Sequence, residues 1–564
     1  MKAIYKALVA ALAATPLLTG CIEESFPTNG FTGTQIEGTD EGTDAFCDAI
    51  PSHMNVIGTV STDQHYDFGM PSLMHARDCM TEDLAVRYAG GYDWFASYAR
   101  NSTSLGPGYM VCQFTWNFYY EQILCCNNAL KMLPADSEDP VILGKRAIVL
   151  ASRAATYLDA ARCYEFLPCD INKEGLSAEG NDIIGLSMPI VTEETSEEAL
   201  NNNPRATHEQ MLEFILGDLN EALTLFDATK QPRTSKTKPD VNVTKGLLAR
   251  AYLWDASYQA EINADNAKAT ESYNHAATYA REAITGSGAT PLTEAQWLSK
   301  TTGFNDINVS SWMWGGQYVA EDDAVVAGGI RTWTSFCSNE QNFGYAAPAQ
   351  GAFTEIGVSL YNKINDADWR KLSWVAPEGT ANYGKAPYLD QAFGEANLSE
   401  PYISLKFRPG QGNMDDPLVG AVVGYPLMRV EEMYFIEAEA KAHVDMAAGK
   451  ALLENFMKTY RYPTYSTLVT GQDALIQEII LQKRIELWGE GQTMFDVKRL
   501  NLSVTRFYNG TNFIAGASTI NTKGRPGWMN LCIVQQEVSN NTAIEGYNTP
   551  TSAGLYDLHA SSEE

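Results

Sequence analysis

Two groups of aromatic side chains stand out for what they could bind. Trp94, Tyr98 and Asn101 share one early stretch, and Trp312, Trp314, Trp333 and Phe343 share a later one. A sugar ring offers apolar C–H faces to an aromatic plane, while amides and carboxylates take up its hydroxyls. On loops, these residue types predict a surface that holds a glycan. The competing reading is structural, because Trp and Tyr also serve as large core or loop anchors with one polar atom satisfied.

Cys21 predicts a different chemistry, covalent lipidation. Lys2 and Lys6 form a positive start, Ala7 to Leu18 is an apolar run short for a bilayer, and Leu18-Thr19-Gly20-Cys21 closes it. This pattern predicts a lipoprotein leader over residues 1–20, cut to leave Cys21 as an acylated first residue. Several acyl chains then anchor the protein without a transmembrane helix. Nine further cysteines follow at irregular spacing, an odd count that argues for buried free thiols over a disulfide framework. A local bridge between Cys163 and Cys169 stays open.

Catalytic constellations are sparse. The seven histidines include no His-x-x-x-His pair, and the chain carries no Gly-x-Ser-x-Gly elbow, phosphate loop or dinucleotide fingerprint. No catalytic residue, metal site or cofactor is expected. Structural calcium is left open by Asp170-x-Asn172-x-Glu174-Gly175, but the twelfth position of that loop is Asn181 where a calcium loop needs Glu. The pairs Asp322-Asp323 and Asp415-Asp416 are of a kind that so acidic a chain produces by chance.

The formal net charge is −29 over 564 residues, and loss of the two leader lysines makes it more negative. Phosphate recognition needs a basic patch, so nucleic acid is excluded as the expected partner. The same charge argues against lying flat on anionic lipid, which leaves the lipid anchor to hold the membrane. With 45% hydrophobic and 11% aromatic residues, a large core is expected.

The positioning elements read as helices. Residues 113–133 and 145–166 form an adjacent pair, the second with a small-residue face of Ala147, Leu150, Ala151, Ala154, Ala155, Leu158, Ala160 and Ala161. A helix over 207–226 starts from a capping box of Thr207 and Gln210. Helices over 243–258 and 272–284 follow, the latter stopped by Gly286. Further on come helices over 430–444, around 452–460, and over 473–488. Such pairs suggest degenerate tetratricopeptide-like hairpins, although no clean 34-residue period is present. Residues 290–425, rich in Gly, Trp, Tyr, Asn and Pro, read as an irregular segment that builds much of the working surface.

Gln477-Glu478-Ile479-Ile480-Leu481-Gln482-Lys483-Arg484-Ile485-Glu486-Leu487-Trp488-Gly489-Glu490-Gly491, followed by Phe495-Asp496-Val497-Lys498-Arg499-Leu500, closely resembles a hallmark of the SusD/RagB family, surface nutrient-binding lipoproteins of Bacteroidota. Met428 to Ala440, Pro204-Arg205-Ala206-Thr207, Gly217 to Ala222 and Lys245 to Leu253 extend the resemblance in the family's order. Read physically, Leu475, Ile476, Ile479, Ile480, Lys483 and Leu487 mark one helix face. Arg484, Glu486, Glu490, Asp496 and Arg499 could form an ion-pair network that fixes this helix to the following turn, where Gly489 and Gly491 supply freedom. The motif is therefore architectural.

The resemblance implies a mostly α fold of four degenerate tetratricopeptide-like helical hairpins and a loop-rich ligand-binding region. The expected layout is a leader over 1–20, a flexible tether over 21–40 and a single domain over 41–564. Within it the helical scaffold spans about 41–289 and 426–500, the loop-rich insertion about 290–425, and an irregular C-terminal segment 501–564. It also implies a position at the outer membrane, with Glu23-Glu24 similar to an acidic surface-export signal. The implied partners are a nutrient, commonly an oligosaccharide, and a SusC-like TonB-dependent transporter. A glycan-degrading surface enzyme and an outer-membrane helical scaffold are the alternatives. By the resemblance, Trp94 and Asn101 lie in one candidate ligand region and Trp312 to Phe343 in the other.

Overall fold

Short acidic and hydroxylic caps set the start of the long helices. The computed structural model describes residues 40–60, 65–87, 95, 105–516 and 518–559. By its contacts the chain divides into a short unit, Met1–Ala45, and a compact unit, Phe46–Glu564, which carries the fold. Its helices include α1 (Met70–Cys79), α2 (Met110–Lys131), α3 (Pro140–Tyr164), α4 (His208–Thr229), α5 (Val241–Glu261), α6 (Asn266–Ser287), α7 (Trp333–Cys337), α8 (Val430–Val444), α9 (Met446–Tyr460), α10 (Gln472–Glu486), α11 (Thr493–Arg499) and α12 (Gln535–Asn540). Asp139 caps α3, with Pro140 at the first helical position, where its missing N–H is no loss. Thr207 and Gln210 close both halves of the expected capping box on α4. Asp240, Asp265 and Asp445 cap α5, α6 and α9 in the same manner.

The long helices stack in sequence. α2 lies on α3, α3 on α4, α4 on α5 and α5 on α6. α6 then packs on α8, and α8 on both α9 and α10, so the helical stack resumes after the long insertion. Alanines make this closeness feasible: Ala147, Ala151, Ala154, Ala160 and Ala161 on α3 are all fully buried. The fold is mostly α, as expected. Several helices differ from the expected bounds: α3 starts at Pro140 where residue 145 was expected, α6 at Asn266 where residue 272 was, and α9 at Met446 where residue 452 was. Gly286 lies inside α6, and Gly288, at φ +68°, forms the left-handed stop. Two glycines so close offer the same local signal, and the conformation of the second decides it.

Two small antiparallel sheets organise the insertion. β1 (Leu84–Val86) pairs with β3 (Thr354–Ile356), and β2 (Trp312–Gln317) with β4 (Gly424–Arg429), the latter with a register shift between Trp312 and Gly315. β4 runs directly into α8, so the second sheet joins the insertion to the scaffold.

Buried charge locks the family motif in place. The α10 face of Leu475, Ile476, Ile479, Ile480 and Leu487 is buried, with Lys483 paired to Asp496 at 2.9 Å. The ion pairs reach much further than the following turn. Glu486 meets Arg461 at 2.7 Å, Arg370 at 2.9 Å and Arg429 at 3.2 Å. Glu490 binds Lys406 at 2.7 Å and Arg429 at 2.8 Å, and Arg484 pairs with Glu82 and Asp83. Arg499 holds Glu439 on α8 as well as Asp496. Gly491, at φ +69°, passes so close to α1 that an added Cβ would lie 2.7 Å from Met74 Cα.

His208 makes a second buried network. Its Nδ1 bonds Glu165 at 2.6 Å and its Nε2 bonds Asp255 at 3.1 Å, while the ring stacks on Tyr258 at 3.8 Å. Burial works against the charged ring, but Glu165 and then Asp255 more than offset it and push the pKa up to about 9 from 6.5. A raised folded-state value stabilises in full below pH 6.5 and fades as pH rises through about 9. The shift corresponds to about 3 kcal/mol. Urea unfolding of the parent and of His208→Gln at pH 6 and pH 10 checks this. The parent's advantage is expected to shrink by about that amount at the higher pH; an equal gap at both values contradicts it.

Candidate ligand-binding face

Trp94, Tyr98 and Asn101 lie outside the described residues, as does Cys21. Phe95 is described and is buried, edge-on to His75 at 4.5 Å, to Phe336 of α7 at 4.9 Å and to Phe68 at 6.1 Å. Phe68 and Phe336 stack at 5.0 Å, and Phe336 stacks in turn on Tyr345. The buried Tyr345 has its hydroxyl bonded to His65.

Arg87 follows β1 directly, beside the β1–β3 sheet. Its backbone N–H donates to Phe353 O at 2.8 Å, and its guanidinium joins Glu355 at 2.6 Å and Glu400 at 2.7 Å. Glu355 accepts from Asn512 Nδ2 at 3.1 Å; burial raises its pKa and Arg87 works against that rise. Asp67 is held by Thr59 Oγ1 and the Val60 N–H, both at 3.0 Å. Burial raises its pKa, and these hydrogen bonds and Arg331 oppose the rise.

Three of the four later candidates are in the core. Trp312 and Trp333 are 1% exposed and Trp314 5%. Trp333 packs edge-on against Phe407 at 5.1 Å, and Trp314 donates its indole N–H to Thr237 O at 3.1 Å. None of these rings has a face to offer a ligand. A loop-rich segment with few helices must build its own core, and large aromatics are the residues that can fill it.

Phe343 is different. It is half-buried, its ring packed over the backbone of Gly329 and Gly420. On the two segments that carry Gly329 and Gly420, Val326 is 63% exposed, Leu418 52% and Ile330 36%. The exposed Asn342 donates to Asp415 Oδ1 at 2.7 Å and edges this patch with an amide and a carboxylate. Exposed apolar side chains with a polar edge make this a candidate interaction surface. The chain between Phe343 and Phe353 joins it to the Tyr345 and Arg87 region. What the arrangement offers a ligand is apolar contact at Phe343, Val326 and Leu418 and hydrogen-bonding groups at Asn342 and Asp415. Val326, Ile330 and Leu418 escaped the sequence reading because single exposed aliphatics carry no local signal.

Cations find no assembled cage here. Among the described residues no group of three or more His, Cys, Asp or Glu side chains could hold a metal. In the Asp170 loop, Asn172 Oδ1 is taken by the Gly175 and Leu176 N–H groups, and Asp170 by the Tyr556 hydroxyl at 2.5 Å. The nine cysteines after Cys21 are free thiols, Cys163 and Cys169 included, and all but Cys125 are buried. No helix among the described residues is long and apolar enough to cross a membrane.

Comparison with known proteins gives a consistent answer. The sequence model of the SusD family matches residues 253–549. No curated protein sequence matches the chain. Similar solved structures include a SusD-like carbohydrate binding protein from Bacteroides vulgatus ATCC 8482, 20% identical, covering 92% of this chain and 99% of that one at a TM-score of 0.68. A SusD superfamily protein from Bacteroides thetaiotaomicron VPI-5482 is 17% identical over 90% of this chain and 99% of its own, with a TM-score of 0.61. A laminarin binding SusD-like protein is 17% identical over 89% and 98%, with a TM-score of 0.57. At these identities the structures speak for the fold, and the family match covers more than half of the sequence. The chain belongs to the SusD family.

Proposed function

We propose that this protein is a non-catalytic, lipid-anchored glycan-binding protein of the outer-membrane surface, which passes its ligand to a SusC-like TonB-dependent transporter. The observation that carries the reading is the family match over residues 253–549. Two similar structures are described as carbohydrate binding and laminarin binding, which favours a glycan as the ligand. The apolar patch at Phe343 with its Asn342–Asp415 edge is compatible with shallow sugar contacts. Trp94, Tyr98 and Asn101 are proposed to complete this face, and Cys21 to carry the lipid.

A glycan screen tests it, with the chain starting after Cys21, calorimetry for affinity and product analysis alongside. Binding of a specific glycan with no new reducing ends is expected. Trp94→Ala should weaken that binding roughly tenfold, the worth of one aromatic anchor, with thermal stability unchanged. Release of reducing ends would replace the capture role with an enzyme. Absence of binding to any glycan would overturn the ligand class.

A further inference from the structure

A groove outside the loop-rich face is built from three distant pieces of chain. It lies between α2, the segment 189–203 and α12, and encloses about 510 Å³, within the range of small-ligand sites. None of its lining residues belongs to the face around Phe343. The half-buried Tyr120 of α2 forms the floor, backed one turn earlier by the buried Trp116 at a ring-centroid distance of 4.5 Å. Leu124 and Leu200 stand exposed at the rim.

The groove is held open by its own hydrogen bonds. Tyr120 donates its hydroxyl to Pro189 O at 2.8 Å, and Asn127 Nδ2 donates to Val191 O at 3.1 Å. Asn203 Nδ2 donates to Ile190 O at 2.8 Å. Asn541 ties α12 to the same wall, accepting from the Asn203 N–H at 2.9 Å and donating to Asn203 O at 2.7 Å. A pre-formed site spends little binding energy on ordering itself.

What these bonds leave over is polar on one side only. Asn117 uses its Nδ2 on Thr59 O and keeps its carbonyl oxygen; Glu537 accepts Asn541 Nδ2 on Oε1 and keeps Oε2. Gln536 and Asn540 expose their amides, and Glu121 adds a second carboxylate. No lysine or arginine lines the groove. An anionic ligand would meet two carboxylates and no counter-charge. Aromatic rings, amides and unpaired carboxylate oxygens instead suit hydroxyls mounted on an apolar ring face.

We propose that this groove is a second binding site, for a short neutral oligosaccharide, with Tyr120, backed by the buried Trp116, as its platform and Asn117, Gln536, Glu537 and Asn540 as its hydroxyl partners. It shares the ligand class of the proposed function and stands at a different place on the surface.

Hydrogen–deuterium exchange and calorimetry on the full chain test it, with maltohexaose, laminarihexaose and xylohexaose as probes and pentalysine as the cationic peptide control. At least one hexasaccharide should protect amides within 116–127 and 534–541. The Q536A/N540A double variant, altered only at exposed side chains, should weaken that protection-linked binding about tenfold and leave the thermal midpoint unmoved. Protection confined to residues near 343 would overturn the groove and leave the proposed function standing. Protection of the groove segments by pentalysine alone, or hexasaccharide binding that is indifferent to the double variant, also overturns it. If no hexasaccharide binds anywhere, both readings fall.

Discussion

Replacing Glu486 with alanine is expected to destabilise the folded chain by about 3–5 kcal/mol, the cost of breaking a buried ion pair from one side. Three guanidinium groups converge on this carboxylate, those of Arg461, Arg370 and Arg429, and all four side chains are fully buried. Burial alone would raise the Glu486 pKa, but Arg461, Arg370 and Arg429 more than offset it and hold the carboxyl well below its ordinary range. Removing it leaves positive charge in the core with Glu431, Glu490 and Asp368 as its remaining partners. Those three already serve the same arginines, so they do not restore the lost neutralisation. Glu486→Gln keeps the shape and some hydrogen bonds, and most of the loss should persist because the charge is what is missing. Because the folded-state pKa is depressed, this stabilisation is complete above the unfolded value of about 4.5. It fades only as pH falls toward the depressed value, so the contrast between parent and variant should survive from pH 8 down to pH 5. Urea unfolding at both pH values measures it; a loss below about 1 kcal/mol would show that relaxation or water already pays the charge cost.

The scaffold was legible because its local and tertiary signals agree. Val430–Val444 comes out of the sequence with the boundaries it has in the structure, and the Thr207–Gln210 box is formed as its spacing requires. The ion-pair residues of α10 were recognisable as a set, but their partners were not. Arg370, Arg429 and Asp83 lie up to 401 residues away in the chain, and no local pattern announces such pairing. The insertion failed in the opposite sense. Trp312, Trp314 and Trp333 resemble ligand platforms in sequence, yet each supplies apolar area that their glycine-rich surroundings lack. Tyr120 was hidden for the complementary reason: in an amphipathic helix an aromatic reads as core. Only the approach of residues 189–203 and 534–540 turns that face into a groove.

Cys21→Ala is expected to abolish membrane retention rather than to reduce it. Leu18-Thr19-Gly20-Cys21 carries the acylation site proposed for this attachment. No described helix is long and apolar enough to cross a bilayer, and a net charge of −29 disfavours adhesion to an anionic membrane surface. Each acyl methylene buried in lipid is worth about 0.8 kcal/mol, so a single chain binds reversibly while two or more hold firmly. All of that attachment is proposed to pass through one sulfur and its neighbouring amine. The variant should therefore lose metabolic palmitate label and disappear from the outer-membrane fraction, while the body of the protein keeps its unfolding midpoint. Glu23→Ala with Glu24→Ala provides the contrast, since that pair is proposed to direct export to the outer face: the label should remain and only access to an external protease should change. Retention of unlabelled Cys21→Ala in outer membranes after a high-salt wash would mean that a protein partner holds the chain there. Because a salt wash strips contacts made by charge far more readily than buried acyl chains, the wash separates these two kinds of attachment directly.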